Sequence, residues 1–380
     1  MVDKPSLKPG NPRFSSGPCR KPPGWSLDRF TRGLMGRYHR SKPGRAAIDE
    51  VMARLRSLLD IPDDYTMLLV PGSDTGAMET AMWNLLGARP VDVLAFDRFG
   101  DEWLHDVEAE LKIPEIHEFK APYGALPDLS AINPAHDLVF AWTGTTAGVC
   151  VPNGEWIANK REGLVICDAI SAAFCLNLPW DRLDATSFSW QKAMGGEAQH
   201  GVLVLSPLAL ERLKSYTPPW PIPKLMRLSP EVLTDGLINT PSLLCIEDAL
   251  VVLEWIDSIG GLDAMIDRSK ANFTLLDAWV NKRSDVAHLA KTPETRPLSP
   301  VCLKLTGPFF DALGVEGISA AAARITSLLE KEGVAFDIQS YRTAPPGLRI
   351  WTGGTVEAMD LENLLPWFEW ALSEVTTEGA

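Results

Sequence analysis

Lys192 stands just past Ser187-Phe188-Ser189-Trp190, a run that alternates small polar with large apolar side chains at the period of a half-buried strand. Gly195-Gly196 then marks a turn. A lysine at a strand end, walled by apolar residues, loses part of its hydration. Its amine is then more easily deprotonated and can form an imine with an aldehyde. Asp168 closes a second apolar run, Gly163 to Cys167. Asp74 and Thr75 lie in a small-residue turn, Pro71 to Gly76, between a strand-like run, Met67 to Val70, and a helix predicted over Ala77 to Leu86. Such a turn aims free backbone N–H groups and the helix dipole at an anion. It has neither the Gly-Lys-Ser/Thr ending of a Walker loop nor the full Gly-x-Gly-x-x-Gly of a dinucleotide site. Taken singly, these residues read as a surface lysine, a strand cap and a helix cap.

The elements that must position them alternate along the chain. Strands are predicted at Val91 to Asp97, Asp137 to Trp142, Gly163 to Cys167, Thr186 to Trp190 and Gly201 to Leu205, with a helix led by Trp103 over Glu102 to Leu111. Near-continuous apolar strands separated by helices predict a mainly parallel sheet covered on both faces. Ligands of such sheets bind at the carboxyl ends of the strands. Asp74, Thr75, Trp103, Thr145, Asp168 and Lys192 all fall at or just beyond such ends. Residues 1–45 read as an extended arm, followed by a helix from Ala46 to Leu59 and a large domain to residue 259. Long helices at Leu243 to Ile259 and Leu262 to Asn281 flank a hinge at Gly260-Gly261. Strand-like runs at Val301 to Leu305, Val334 to Ile338 and Leu348 to Thr352, with helices at Ile318 to Lys331 and Glu357 to Ser373, predict a smaller α+β domain over 260–380.

The formal net charge of −13 argues against general nucleic-acid binding and against anionic membrane surfaces. No apolar run approaches the length of a membrane span, and the first ten residues lack the apolar stretch of a secretory signal. Six cysteines, at positions 19, 150, 167, 175, 245 and 302, form no Cys-x-x-Cys pair. They fit a reducing cytoplasm and no metal site.

An imine to pyridoxal phosphate needs a carboxylate at the pyridine nitrogen, an aromatic face for the ring and an anion cradle for the phosphate. Asp168, Trp103 and the Asp74–Thr75 turn offer these at one sheet edge. Here the sequence resembles the phosphoserine aminotransferase family, within the fold-type I, class V aminotransferases, over essentially its whole length. The likeness is carried by Phe14-Ser15-Ser16-Gly17-Pro18, Tyr38-His39-Arg40, Val165-Ile166-Cys167-Asp168, Ser189-Trp190-Gln191-Lys192-Ala193-Met194-Gly195-Gly196-Glu197 and Asn239-Thr240-Pro241. It implies an α/β fold with a mainly parallel seven-stranded sheet and a smaller C-terminal α+β domain. It implies that Lys192 carries the imine and relays the substrate proton, with Asp168 on the pyridine nitrogen, Trp103 on the ring and Thr145 near the phenolic oxygen. Gln191 and the turn at Asp74 and Thr75 would hold the cofactor phosphate. Asn239 and Thr240 would reach the partner subunit's cofactor, so a homodimer with shared active sites is expected.

For the substrate, the resemblance implies His39, Arg40, Arg342 and Arg349 as holders of phosphate and carboxylate. A guanidinium fork suits both anions. Arg349 lies inside the strand-like Leu348-Arg349-Ile350-Trp351, where an unpaired charge is costly, so an anionic partner is expected: substrate or an internal carboxylate. The chain departs from the family pattern at Gly72-Ser73-Asp74-Thr75, where many members have a Gly-Gly-Arg-like turn. It departs again at Thr143-Gly144-Thr145-Thr146, where others have Asn-Glu-Thr. The phosphate ligands, and the choice between Thr145 and Thr146, stay open. The expected reaction moves an amino group between L-glutamate and 3-phosphohydroxypyruvate to give O-phospho-L-serine in serine biosynthesis. The same pocket is expected to suit 4-phosphohydroxy-L-threonine formation in pyridoxine biosynthesis. The alternatives are a class V transaminase for a non-phosphorylated acid, such as serine–glyoxylate, and a cofactor-free binding protein that kept the fold. Cys302, inside Val301-Cys302-Leu303, reads as core, which disfavours a cysteine desulfurase.

Overall fold

The computed structural model describes residues 2–378. Seven strands form the central sheet: β1 (Thr66–Pro71), β2 (Val91–Ala95), β3 (Ile116–Lys120), β4 (Asp137–Ala141), β5 (Val165–Asp168), β6 (Ala185–Phe188) and β7 (His200–Leu205). Their spatial order is β1-β7-β6-β5-β4-β2-β3. The pairs β6–β5, β5–β4, β4–β2 and β2–β3 are parallel; β7 runs against both of its neighbours, β1 and β6. The sheet is therefore mainly parallel, with one reversed strand. Every residue of β2, β4, β5, β6 and β7 is buried. That explains their mostly apolar character, since helices cover both faces. Each Val or Leu so enclosed contributes about 1.5–3 kcal/mol.

The helices begin earlier than their apolar periodicity predicts. Helix α1 (Lys42–Leu58) is capped by the Ser41 hydroxyl, which accepts from the Gly44 N–H, and it buries Ile48, Val51 and Leu55. Helix α2 (Ser73–Leu85) starts inside the predicted turn, directly after Gly72 at φ 86°. Helix α3 (Arg98–His105) is capped by the Asp97 carboxylate, 2.9 Å from the Gly100 N–H, and runs on as a π-helical turn over Asp106–Glu110. Polar caps at Ser41 and Asp97 and the left-handed Gly72, all invisible to a hydrophobic pattern, set these starts. Helix α4 (Leu243–Ile259) has the predicted bounds and is buried along most of its length. Gly260, at φ 113°, closes it before α5 (Gly261–Val280).

A second, antiparallel sheet holds β8 (Val286–His288), β9 (Val301–Leu305) and β10 (Leu348–Ile350) in the order β8-β9-β10. Helices α6 (Gly314–Lys331) and α7 (Ala358–Glu378) accompany it. The predicted strand at Val334 to Ile338 is not one. Its only ladder contacts are isolated bridges, Arg13 to Phe336 and Gln339 to Leu348 just beyond it. The N-terminal arm is ordered. Phe14 is fully buried and its carbonyl accepts from the Trp351 N–H at 2.9 Å. Arg20 makes a buried ion pair with Asp360 at 2.7 Å, and the other Asp360 oxygen accepts from the Gly10 N–H at 2.7 Å.

Candidate active site

The carboxyl ends of β5 and β6 bring Asp168 and Lys192 to one edge. Asp168 ends β5 and is buried. Its Oδ1 accepts from the Ile170 N–H at 3.0 Å and its Oδ2 from the Trp103 indole at 3.2 Å. Trp103, buried on α3, therefore lies against the carboxylate predicted to hold a pyridine nitrogen. Burial raises the Asp168 carboxyl, opposed by these two donors and by the Lys192 cation.

Lys192 is half-buried, and its Nζ donates to the Ser16 carbonyl of the arm at 2.6 Å. Burial holds its ammonium below the usual lysine range. The Arg349 cation adds to this, while Cys19, Asp168 and Asp74 oppose it. A Cβ on Gly17 would come within 2.3 Å of the amine, so the arm passes here only because residue 17 has no side chain. Sequence reasoning gave no role to Ser16, Gly17 or Cys19 at the lysine. The Cys19 N–H donates to the Gln191 carbonyl at 2.8 Å. Only the clustering of Ser and Gly in the arm hinted at so close a backbone approach.

At the start of α2 the Gln191 amide donates to the Ser73 hydroxyl at 3.2 Å, and Ser189 hydrogen-bonds to Gln191. Asp74 and Thr75 follow Ser73 in the first turn of α2, where backbone donors face outward from the dipole. Thr75 is exposed. Asp74 is buried with its carboxylate turned toward Asp168 and Ser187, so what it offers a phosphate is its N–H alone. Thr145 and Thr146 separate clearly. Thr146 accepts from the Arg98 N–H at 3.0 Å and donates to Asp97 at 3.2 Å. The buried Thr145 hydroxyl makes no hydrogen bond among the described residues.

Arg349 is half-buried on β10, with its guanidinium 5.5 Å from the centre of the Tyr341 ring. It forms no ion pair with any described carboxylate, and its buried Nε has no hydrogen-bond partner among the described residues. Arg342 is exposed one residue beyond Tyr341.

The remaining predicted residues assemble elsewhere. His39 and Thr240 line one cavity of about 300 Å³ together with Met35 and Leu244. Arg40 is exposed and pairs with Asp235 at 2.9 Å, in a neighbouring cavity of about 700 Å³. Asn239 and Thr240 are exposed. One residue connects the two groups. His200, on β7, accepts at Nε2 from the Ser242 N–H at 3.0 Å, its carbonyl accepts from Ser189 at 2.8 Å, and its ring lies 5.7 Å from that of Trp190. At the opposite rim of the sheet Asp92, His117 and His136 bring ligand-type atoms within 4.8 Å of one another. There both His136 nitrogens are already engaged, by Asp92 at 2.7 Å and Asn133 at 3.0 Å.

The residues present fit pyridoxal phosphate. A buried carboxylate, an indole, an unpaired threonine hydroxyl and a polar helix start surround one partly desolvated amine, and the buried Ser187 hydroxyl and Arg349 Nε lack partners. The fold agrees. Pyridoxamine-pyruvate aminotransferase from Mesorhizobium loti superposes with a TM-score of 0.80 at 17% identity, covering 99% of this chain and 95% of that one. A phosphoserine aminotransferase from Cytophaga hutchinsonii superposes at 0.78 with 18% identity, covering 96% and 98%. Fold and site together are those of a fold-type I pyridoxal-phosphate-dependent aminotransferase. No protein-family model matches the chain. The phosphoserine aminotransferase of Methanosarcina mazei is 47% identical over 374 residues, 97% of this chain and 98% of that protein. The chain belongs to the phosphoserine aminotransferase family.

Proposed function

We propose that the protein transfers the amino group between L-glutamate and 3-phosphohydroxypyruvate, yielding O-phospho-L-serine and 2-oxoglutarate, with pyridoxal 5'-phosphate as cofactor. The cofactor, when bound, links the amino group covalently and delocalises the electrons released at the substrate α-carbon. Lys192 would hold the cofactor through its amine and would serve as the base that moves the substrate α-proton. Its low-lying ammonium suits both tasks, because a free amine is needed as nucleophile and as base. Asp168 would hold the pyridine nitrogen in its protonated form, and Trp103 and Thr145 would line the ring. Ser73, Gln191 and the N–H groups at Asp74 and Thr75 receive the phosphate.

The observation that carries the substrate reading is Arg349, a half-buried cation beside Lys192 with no carboxylate of its own. A substrate carboxylate supplies the missing partner through two parallel hydrogen bonds. Arg342 and Arg40 supply further positive charge for a substrate phosphate, and His39, held neutral by burial and by the Arg40 cation, supplies a ring N–H donor. On this reading the active unit is a homodimer in which His39, Arg40, Asn239 and Thr240 serve the partner's site. The exposed Met35, Tyr38 and Leu244 around them supply apolar surface of the kind such contacts bury. Residues 1–45 then act as an arm, 46–259 as the cofactor-binding domain and 260–380 as the smaller domain. Among the described residues no helix is long and apolar enough to cross a membrane, and the reading places the reaction in the cytoplasm.

A half-reaction tests this. The cofactor-loaded protein is mixed separately with O-phosphoserine, serine and glutamate while the visible cofactor band is followed. Phosphoserine and glutamate should bleach it and serine should not. Serine acting as well as phosphoserine would move the assignment to a non-phosphorylated substrate.

A further inference from the structure

Asp74, in the first turn of α2, and Asp168, at the end of β5, are two buried carboxylates, each about 4% exposed, that interact where α2 packs against β5 and β6. Their surroundings are unequal. Asp168 receives the Ile170 N–H and the Trp103 indole. Asp74 receives no backbone donor, and its Oδ1 has no hydrogen-bond partner among the described residues. Its remaining polar neighbour is Ser187, which sits opposite Asp168 in the β5–β6 register. Lys192 is the one cation facing both acids, and α2 directs its positive N-terminal end at Asp74.

Two adjoining carboxylates away from water cannot both stay ionised without large repulsion. The proton goes to the acid with fewer donors. Burial and the Asp168 charge push the Asp74 carboxyl well above the ordinary range, against the Ser187 hydroxyl and Lys192. A protonated acid also gains the donor that the pair otherwise lacks.

We propose that Asp74 is a positioning residue: a neutral carboxylic acid that donates a hydrogen bond to Asp168 and confines the single negative charge of the pair to Asp168. This rests on the cofactor reading, since Asp168 is the group that would hold the pyridine nitrogen. With Asp74 neutral, one charge faces that nitrogen and the second acid fixes the rotamer of the first. With Asp74 ionised, the second charge would also face the incoming phosphate.

The test begins without cofactor. A wild-type-minus-Asp74→Asn infrared difference spectrum of the full chain at neutral pH should show the C=O stretch of a protonated carboxylic acid. Its absence overturns the proposal. Should Asp74→Asn fail to fold, ¹³C-aspartate labelling of wild type gives the same reading, with one interior carboxyl carbon keeping its protonated shift at neutral pH. All aspartates ionised there would overturn it equally. Cofactor affinity, followed by absorbance, is the second arm. Asp74→Asn keeps a neutral donor and should bind within about threefold of wild type. Asp74→Ala loses the donor and should bind about tenfold more weakly. Equal binding by Asp74→Ala and wild type, or equal loss in both variants, overturns the positioning role. A wild-type protein that took up no cofactor would instead reject the cofactor reading and leave the infrared result standing.

Discussion

Asp168 and Trp103 are enclosed by a single chain, while Asn239, Thr240 and Arg40 stand exposed on the surface of that same chain. The first group is held by strand ends and short hydrogen bonds, and its shape follows from folding alone. In the second group, Arg40 uses its charge on Asp235, and His39 opens onto a shallow cavity rimmed by exposed apolar side chains. The difference separates what one chain pre-organises from what it leaves open at its surface. Chemistry at the amine depends on the enclosed group. On the proposed dimer reading, anion binding at the second group would depend on a partner subunit.

The largest expected effect breaks the enclosed group directly. Lys192→Ala should cut transamination by about a thousandfold or more with the fold retained, read by steady-state turnover and circular dichroism. Near-normal turnover would remove the lysine from the mechanism. Asp168→Asn should weaken cofactor binding by about a hundredfold, because a buried charge partner is replaced by a neutral amide. Unchanged affinity would place the pyridine nitrogen elsewhere. Arg349→Ala should raise the apparent KM for glutamate and phosphoserine about tenfold to a hundredfold while cofactor affinity stays as it was. A fall in cofactor affinity of the same size would make Arg349 a structural cation.

A mixing experiment sharpens the comparison itself. Lys192→Ala and Arg40→Ala subunits, each impaired alone, should regain about a quarter of wild-type activity when refolded together, since half the dimers carry one intact shared site. No recovery would confine every functional residue to its own chain. The smallest effect concerns the junction. Burial lowers His200 to about 4, so the folded protein holds the ring neutral with Nε2 accepting from Ser242. A histidine depressed in the folded state contributes stability above its ordinary value of 6.5 that is lost as pH falls toward 4. The loss is about 3 kcal/mol at most, by the size of the shift. Melting temperatures should drop over that window, and His200→Gln should flatten the dependence.

The sequence made the enclosed group legible because strand ends can be read from where apolar runs stop. Asp168 and Lys192 sit just where Val165-Ile166-Cys167 and Phe188-Ser189-Trp190 give out. Helix α4 was legible to the residue, for its run is apolar and its flanks are Ser242 and Gly260. Strand β3 was not. Ile116-His117-Glu118-Phe119-Lys120 is an edge strand, half exposed, and its polar residues hide the period. The reversal of β7 left no local mark, since direction is set by connections rather than by composition. Val334 to Ile338 misled in the other direction: three of its residues, Val334, Ala335 and Ile338, are buried apolar side chains that face the core without pairing into a ladder. The proximity of Asp74 to Asp168 was equally unreadable, because it depends on how α2 leans across β5 and β6.

The arm that delivers Ser16 to the amine is anchored at the far end of the polypeptide. Arg20 and Gly10 reach Asp360 across 340 and 350 residues of sequence. The arm therefore settles only once α7 is in place, and contacts so distant along the chain close slowly. A nascent subunit lacking α7 has its lysine already in the sheet and nothing to seal it. Until α7 is in place the arm has no anchor at Asp360, and the amine of an incomplete subunit stays uncovered and open to stray aldehydes.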